Sequence, residues 1–224
     1  MPDQPQLSVV IPAYNAEKYL GAAIESVLAQ GHPSAEIVVV NDGSSDRTRE
    51  VAQSYGNQVQ CLSQDHAGAA AARNRGVEAA RGTYLAFLDA DDLWLQGKLA
   101  LQWAALQSTD GMIFGHIEQF LSPDVPSEVL AKYRCDSVPA PGRVAGTLLL
   151  RKNHFLEAGL FKDWRTGEFI EWYDRARQKN FGEVMLPQTL LRRRIHGENM
   201  TLRESNIGGD YLRVVKSILD RKKQ

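Results

Sequence analysis

The chain has 224 residues, 43% hydrophobic and 24% charged, with a formal net charge of −1. That composition is an ordinary globular one with room for a sizeable core, and no run approaches the ~18 apolar residues of a membrane span. Cys61 and Cys135 are isolated thiols without metal-ligand spacing, and the polar start Met1–Gln6 lacks the pattern of a signal peptide, so the expected compartment is the reducing cytoplasm.

In chain order, Leu7–Ile11 predicts a strand and Pro12-Ala13-Tyr14-Asn15 a turn. Asn15 is placed to cap a helix whose apolar stripe is Tyr19, Leu20, Ala23, Ile24, Val27 and Leu28, stopped at Gly31. Glu36–Val40 predicts a second strand, and Asn41-Asp42-Gly43-Ser44-Ser45-Asp46 a turn into a helix reaching Tyr55. Val59–Ser63 reads as a strand, Gly68 to Ala80 as an Ala-rich helix, and Thr83–Leu88 as the next strand. A helix through Leu93–Leu106 follows, with Asp91 or Asp92 as its cap. Beyond Gly111, Met112–Phe120 predicts a strand and Ser122–Gly142 a long irregular stretch around a short helix near Ser127–Tyr133. Val144–Leu150 then predicts a strand, Lys152–Ala158 and Glu168–Lys179 helices, Thr189–Ile195 a strand, and Gly209–Arg221 a closing amphipathic helix.

Strands alternating with helices argue for an α/β domain with a largely parallel sheet. In such a sheet the turns after successive strands share the carboxyl edge, where ligands bind. Asp89-Ala90-Asp91-Asp92 stands at that edge. Three neighbouring acids repel unless a cation or donors compensate, and hard divalent ions take one or two carboxylates together with substrate phosphates. A metal–nucleotide site is the sharp reading; a helix cap is the plain one. From Arg192 onward nine Lys/Arg face four Asp/Glu, a basic tail suited to phosphates or to peripheral contact with an anionic membrane face. No aromatic-basic pattern accompanies it, so no nucleic-acid partner is expected.

The runs LSVVIPAYNAEKYLGAAIESVLAQ, EIVVVNDGSSDRTREVA and GAAAARNRGVEAARGTYLAFLDADD, in that order, resemble the family-2 glycosyltransferases, from about Leu7 to Met200. The resemblance implies a GT-A (Rossmann-like) α/β fold, a mostly parallel central sheet flanked by helices with a smaller acceptor-side subregion. It implies one domain over 1–224, with a nucleotide-sugar half at about 7–110, an acceptor half at about 111–200 and a C-terminal helix at about 207–224. The implied activity is metal-assisted, inverting transfer of a sugar from a nucleotide-sugar donor, UDP-linked, to an acceptor hydroxyl in polysaccharide, glycolipid or cell-surface glycan synthesis. The acceptor stays open among glycans, lipid-linked intermediates and small molecules. A nucleotidyltransferase is the weaker fit, because the first turn has neither the glycines nor the basic residue of a phosphate loop.

By the same resemblance, Pro12, Ala13, Tyr14 and Glu17 lie near the base and ribose, and Asp42 accepts the uracil imide N–H. Arg73 faces the diphosphate or holds an acid of the metal motif. Asp89-Ala90-Asp91 matches the DxD motif, with Asp89 and Ala90 at the nucleotide, Asp91 on a divalent metal and Asp92 left to cap the next helix. Arg192-Arg193-Arg194-Ile195-His196-Gly197-Glu198-Asn199 resembles the late RxxHGxN segment, with Arg192 and Arg194 on the diphosphate and His196 completing the metal shell. A neutral imidazole suits Mn²⁺ better than Mg²⁺, so manganese is expected. Gly167-Glu168-Phe169-Ile170-Glu171-Trp172 resembles the acceptor-side motif, but Phe169 stands where the family carries its Asp general base. A phenyl ring cannot take a proton. The base then falls to Glu168 or Glu171, or the chain is a catalytically impaired nucleotide-sugar-binding or scaffold protein.

Overall fold

A computed structural model describes residues 6–32, 34–123, 125, 127–128, 135, 137–199 and 207–221. The first half builds β1 (Leu7–Ala13), α1 (Leu20–Leu28), β2 (Ala35–Asp42), α2 (Thr48–Gln53), β3 (Val59–Gln64), α3 (Gly68–Ala79) and β4 (Tyr84–Phe87). β1 is buried along its whole length because both faces are covered. Leu7, Val9 and Ile11 share a cluster with Leu20, Ala23, Ile24 and Val27 of α1, whereas Val10 packs with Ala70 and Val77 of α3 on the other face. α3 lies close to the sheet at Gly76, where an added Cβ would come within 2.3 Å of Val10. That approach sets the depth of the helix and of the arginine it carries toward the sheet edge.

The remainder is β5 (Leu93–Trp94), α4 (Lys98–Ala105), β6 (Met112–Leu121), β7 (Ala140–Gly142), β8 (Leu149–Arg151), α5 (Lys152–Ala158), α6 (Glu168–Gln178), β9 (Glu183–Ile195) and α7 (Ile207–Arg221). Among the described residues nine strands form one sheet in the order β3-β2-β1-β4-β8-β6-β9-β5, with β7 beside β6. Parallel pairing carries the long ladders, β1 with β2 and β4, β2 with β3, and β6 with β9. Short antiparallel joins of β8 to β4 and of β9 to β5 stitch the second half to the first, and β7 and β8 pair antiparallel with β6 within it.

Several expectations need correction. Asn15 does not cap α1; its φ of 47° turns it toward the second turn, and α1 begins only at Leu20. No helix starts at Leu93, so Asp92 caps none. Leu93 and Trp94 instead pair antiparallel with Arg192 and Leu191, and α4 waits until Gly97, at φ 82°, redirects the chain. Cross-strand pairing with β9 overrides the helical spacing of that stretch. The predicted strand at Val144–Leu150 opens as a single turn at Ala145–Thr147 before β8, and β9 starts at Glu183 rather than Thr189. Half of the stretch 122–139, including residues 129–133 of the expected short helix, lies outside the described residues, as do the basic residues 222–223. Among the described residues no helix is long and apolar enough to cross a membrane.

Candidate active site

The carboxyl ends of β1, β2 and β4 lie side by side, since β1 pairs in parallel with both neighbours. The first two turns are clamped together by their polar side chains. Asn15 Oδ1 accepts the Ser45 N–H at 2.9 Å, Thr48 Oγ1 the Ala16 N–H at 2.7 Å, and Asp46 the Glu17 N–H at 3.0 Å. Glu17 in turn accepts the Arg47 N–H at 3.0 Å and its Nε at 3.2 Å, so the carboxylate expected near the ribose is engaged in the clamp. Pro12 and Ala13 are buried beneath the edge, while Tyr14 stands half exposed above it.

Asp42 ends β2 almost fully buried; its carboxylate accepts three donors and stands beside His66, whose Nδ1 hydrogen-bonds the Asp42 backbone carbonyl at 3.2 Å. Oδ1 takes Gln64 Nε2 at 2.7 Å and the Ala67 N–H at 2.9 Å; Oδ2 takes the Gly68 N–H at 2.8 Å and lies 2.9 Å from His66 Nδ1. It therefore caps the start of α3, a favourable place for a carboxylate. The His66 ring stacks on Tyr14, centroid to centroid 4.1 Å. Neither Gln64 nor His66 carries a recognisable sequence signal, because both reach Asp42 only through the β2–β3 pairing and the loop behind it.

The three acids after β4 each find a different compensation. Asp89 accepts Arg73 Nη2 at 2.6 Å. Asp91 Oδ2 accepts His196 Nε2 at 3.0 Å and Asn199 Nδ2 at 3.2 Å. Asp92 is buried and accepts the Arg194 N–H at 2.9 Å. Burial, reinforced by Asp91 and Asp89, pushes the Asp92 carboxyl well above the usual carboxylate range against the pull of that N–H. Ala90 is buried between them.

β9 supplies the basic side. Arg194 directs Nε to the Asp91 carbonyl at 2.9 Å and lies over the rings of Tyr19 (5.0 Å) and Phe120 (4.7 Å). Arg192, two residues away on the same strand face, is held by Glu118 at 2.8 Å and lies over Phe120 at 4.5 Å. His196 Nδ1 accepts the Glu198 N–H at 3.2 Å, which puts the neutral ring's proton on Nε2, aimed at Asp91. In this arrangement His196 orients Asp91 as a hydrogen-bond donor. Asn199, in the same late segment, adds a second donor to that oxygen and was not singled out from the sequence.

Arg73 joins the two halves. It is buried; Nη2 meets Asp89 and Nη1 meets Glu168 Oε1 at 2.5 Å. Burial alone would lower its pKa, but the two carboxylates outweigh that and raise it, so the guanidinium stays charged. Glu168 opens α6, and its neighbour Phe169 turns the other way, 8% exposed among Phe114, Phe161, Trp172 and Tyr173. Glu171 is not brought to this cluster. It is fully buried, with Lys162 Nζ at 2.9 Å, Arg175 Nε at 2.9 Å and Arg221 Nη1 at 2.6 Å. Burial works to raise its pKa, yet the hydrogen bonds from Arg221, Lys162 and Arg175 prevail and hold the carboxyl below its ordinary range.

Among the described residues no three His, Cys, Asp or Glu side chains form a ready-made metal cage. Asp89 and Asp91 still fit a hard cation, which needs only one or two carboxylates when water and donor phosphates complete its shell. Their side chains are 44% and 31% exposed, open enough for such a shared shell.

The model of glycosyl transferase family 2 matches residues 8–204. An uncharacterized glycosyltransferase of Rickettsia felis is 31% identical over 222 residues, covering 90% of this chain and 36% of its own length. The putative teichuronic acid biosynthesis glycosyltransferase TuaG of Bacillus subtilis is 42% identical over 103 residues, covering 44% of this chain and 41% of its own. The chain thus spans well under half the length of these relatives. The crystal structure of S. aureus TarS 1-349 in complex with UDP-GlcNAc superposes with a TM-score of 0.76 at 19% identity, covering 95% of this chain and 65% of that one. At that identity the likeness establishes the fold, the GT-A architecture.

Proposed function

The chain belongs to glycosyl transferase family 2, and from that premise we propose that it transfers a sugar from a UDP-linked donor to an acceptor hydroxyl with inversion at the anomeric carbon. One observation carries the reading. Arg73 holds Asp89 and Glu168 on one guanidinium, so a donor-side acid and an acceptor-side acid share one site. Tyr14 would stack on the base, Asp42 would take its imide N–H, and Asp89 would contact the ribose. Asp91, with Asp89, would hold a divalent ion that neutralises the donor's phosphates. With His196 Nε2 committed to Asp91 the ligand set is all oxygen, which takes Mg²⁺ as readily as Mn²⁺; manganese gains an advantage only if His196 exchanges its tautomer.

The transfer then needs a base. Glu168 Oε1 is held by Arg73, and its other oxygen takes the acceptor's proton as the hydroxyl oxygen bonds to the anomeric carbon. The bond from that carbon to the diphosphate breaks on the opposite side, releasing UDP, whose charge Arg194 helps to stabilise. Arg192, engaged by Glu118, would assist only from one position further out. The name of the teichuronic acid biosynthesis relative supports a polysaccharide as acceptor, and we place the reaction in the cytoplasm as part of the same proposal.

Calorimetric titration with UDP tests the donor site. Binding is expected to require Mg²⁺ or Mn²⁺, and Asp91→Asn to weaken it at least about tenfold, the lower end of what losing even an outer partner costs at a metal site. Binding that is indifferent to the divalent ion and to Asp91→Asn would overturn the assignment.

A further inference from the structure

We propose that His66 is an internal stand-in for the nucleobase, holding the base slot between Tyr14 and Asp42 until a uridine nucleotide displaces it. This rests on the donor reading above and concerns the same site. The imidazole occupies the place that a uracil would take there. It stacks on Tyr14 at 4.1 Å with the planes 27° apart, and its Nδ1 lies 2.9 Å from Asp42 Oδ2. A ring already at stacking distance leaves no thickness for a second one.

The valence of Asp42 points the same way. An ionised carboxylate has about four lone-pair positions. Three hydrogen-bond donors occupy three of them, Gln64 Nε2 and the Ala67 and Gly68 N–H groups, and the imidazole, its Nδ1 2.9 Å from Oδ2, stands against the carboxylate where a fourth would come. An incoming imide N–H must replace one of these donors or displace the imidazole. The two backbone donors are fixed by the start of α3. Of the two side chains, only His66 also vacates the face of Tyr14 when it leaves.

The geometry permits that departure at the side chain alone. The backbone at 66 is pinned, for Gly43 (φ 72°) approaches so closely that an added Cβ would stand 2.7 Å from the His66 nitrogen. The His66 side chain is 55% exposed, so it can rotate into solvent without unpacking the core. Displacement therefore costs one stack and the hydrogen bond from Nδ1 to the Asp42 carbonyl, against which the nucleobase supplies a stack and an N–H to the Asp42 carboxylate.

Calorimetry on the purified chain, with one divalent ion throughout, distinguishes the outcomes using UDP, uridine and pyrophosphate. His66→Ala is expected to bind UDP and uridine roughly 3- to 10-fold more tightly, the scale of a lost ring stack, with pyrophosphate affinity unchanged. His66→Phe, which keeps the ring but lacks the N–H, is expected to fall between wild type and His66→Ala. UDP binding by His66→Ala that is equal to or weaker than wild type overturns the proposal, as does tighter binding by His66→Phe than by His66→Ala, which would make position 66 a stacking platform. Wild-type protein that binds no UDP at all would remove the donor reading and this proposal with it.

Discussion

At the scale of single residues, the question raised by Phe169 turns on which way a helix points two adjacent side chains. Successive residues of an α-helix are about 100° apart. Because α6 begins at Glu168, that residue faces Arg73 while Phe169 enters the aromatic cluster with Phe114 and Trp172. The substitution was legible in the sequence; its consequence was not, since it depends on where the helix starts. Glu168→Gln is expected to leave UDP affinity within about twofold and to lower kcat by about 100-fold or more, the contribution of a positioned base. Undiminished turnover would remove Glu168 from the chemistry. Phe169→Asp is not expected to rescue Glu168→Gln, because it trades a buried ring for a buried charge. Its signature would be a stability loss of roughly 3–5 kcal/mol in chemical denaturation.

At the scale of elements, Glu171 belongs to the attachment of α7. Its carboxylate collects Lys162 from the preceding loop, Arg175 from α6 and Arg221 from the last turn of α7, and Arg221 also reaches Asp174 at 3.1 Å. The folded pKa is depressed, so its stabilisation is present above the unfolded value of about 4.3 and is lost as the pH falls through the folded one. Glu171→Gln is accordingly expected to be less stable than wild type at pH 7 and to converge with it as the pH falls through the depressed folded-state pKa of Glu171, with faster amide exchange in α7 and ordinary donor binding. A constant difference down to acid pH would refute the ion-pair account. The α6 segment was readable from its apolar spacing, but the role of Glu171 was not, because its partners come from three separated stretches. β5 shows the same limit: Leu93 and Trp94 open the stretch to Leu106 that reads as helix, and only β9, about 100 residues later, makes them a strand.

At the scale of the whole molecule, the parallel first half was legible because each strand is a short apolar run followed by turn residues, and three such turns must share one edge. The second half was harder to read, since β6, β8 and β9 interleave in an order that local periodicity does not encode. What ties the halves at the site is Arg73, deep on α3, bonded to an acid after β4 and to another at the start of α6. On the proposed donor reading, a metal-bound nucleotide at Asp89 would redistribute Arg73 between its two partners and so link donor binding to the placement of Glu168. Linkage of this kind commonly amounts to 1–3 kcal/mol, or roughly 5- to 150-fold in an equilibrium. UDP with a divalent ion is therefore expected to change amide exchange in the first turn of α6 by about fivefold or more in the wild type. Arg73→Lys keeps the charge, but a single ammonium replaces the planar fork that spans both carboxylates, so the change in α6 should vanish even where UDP still binds. An α6 response that survives Arg73→Lys would show that the two halves communicate through the sheet, and that Arg73 is a local prop for Asp89.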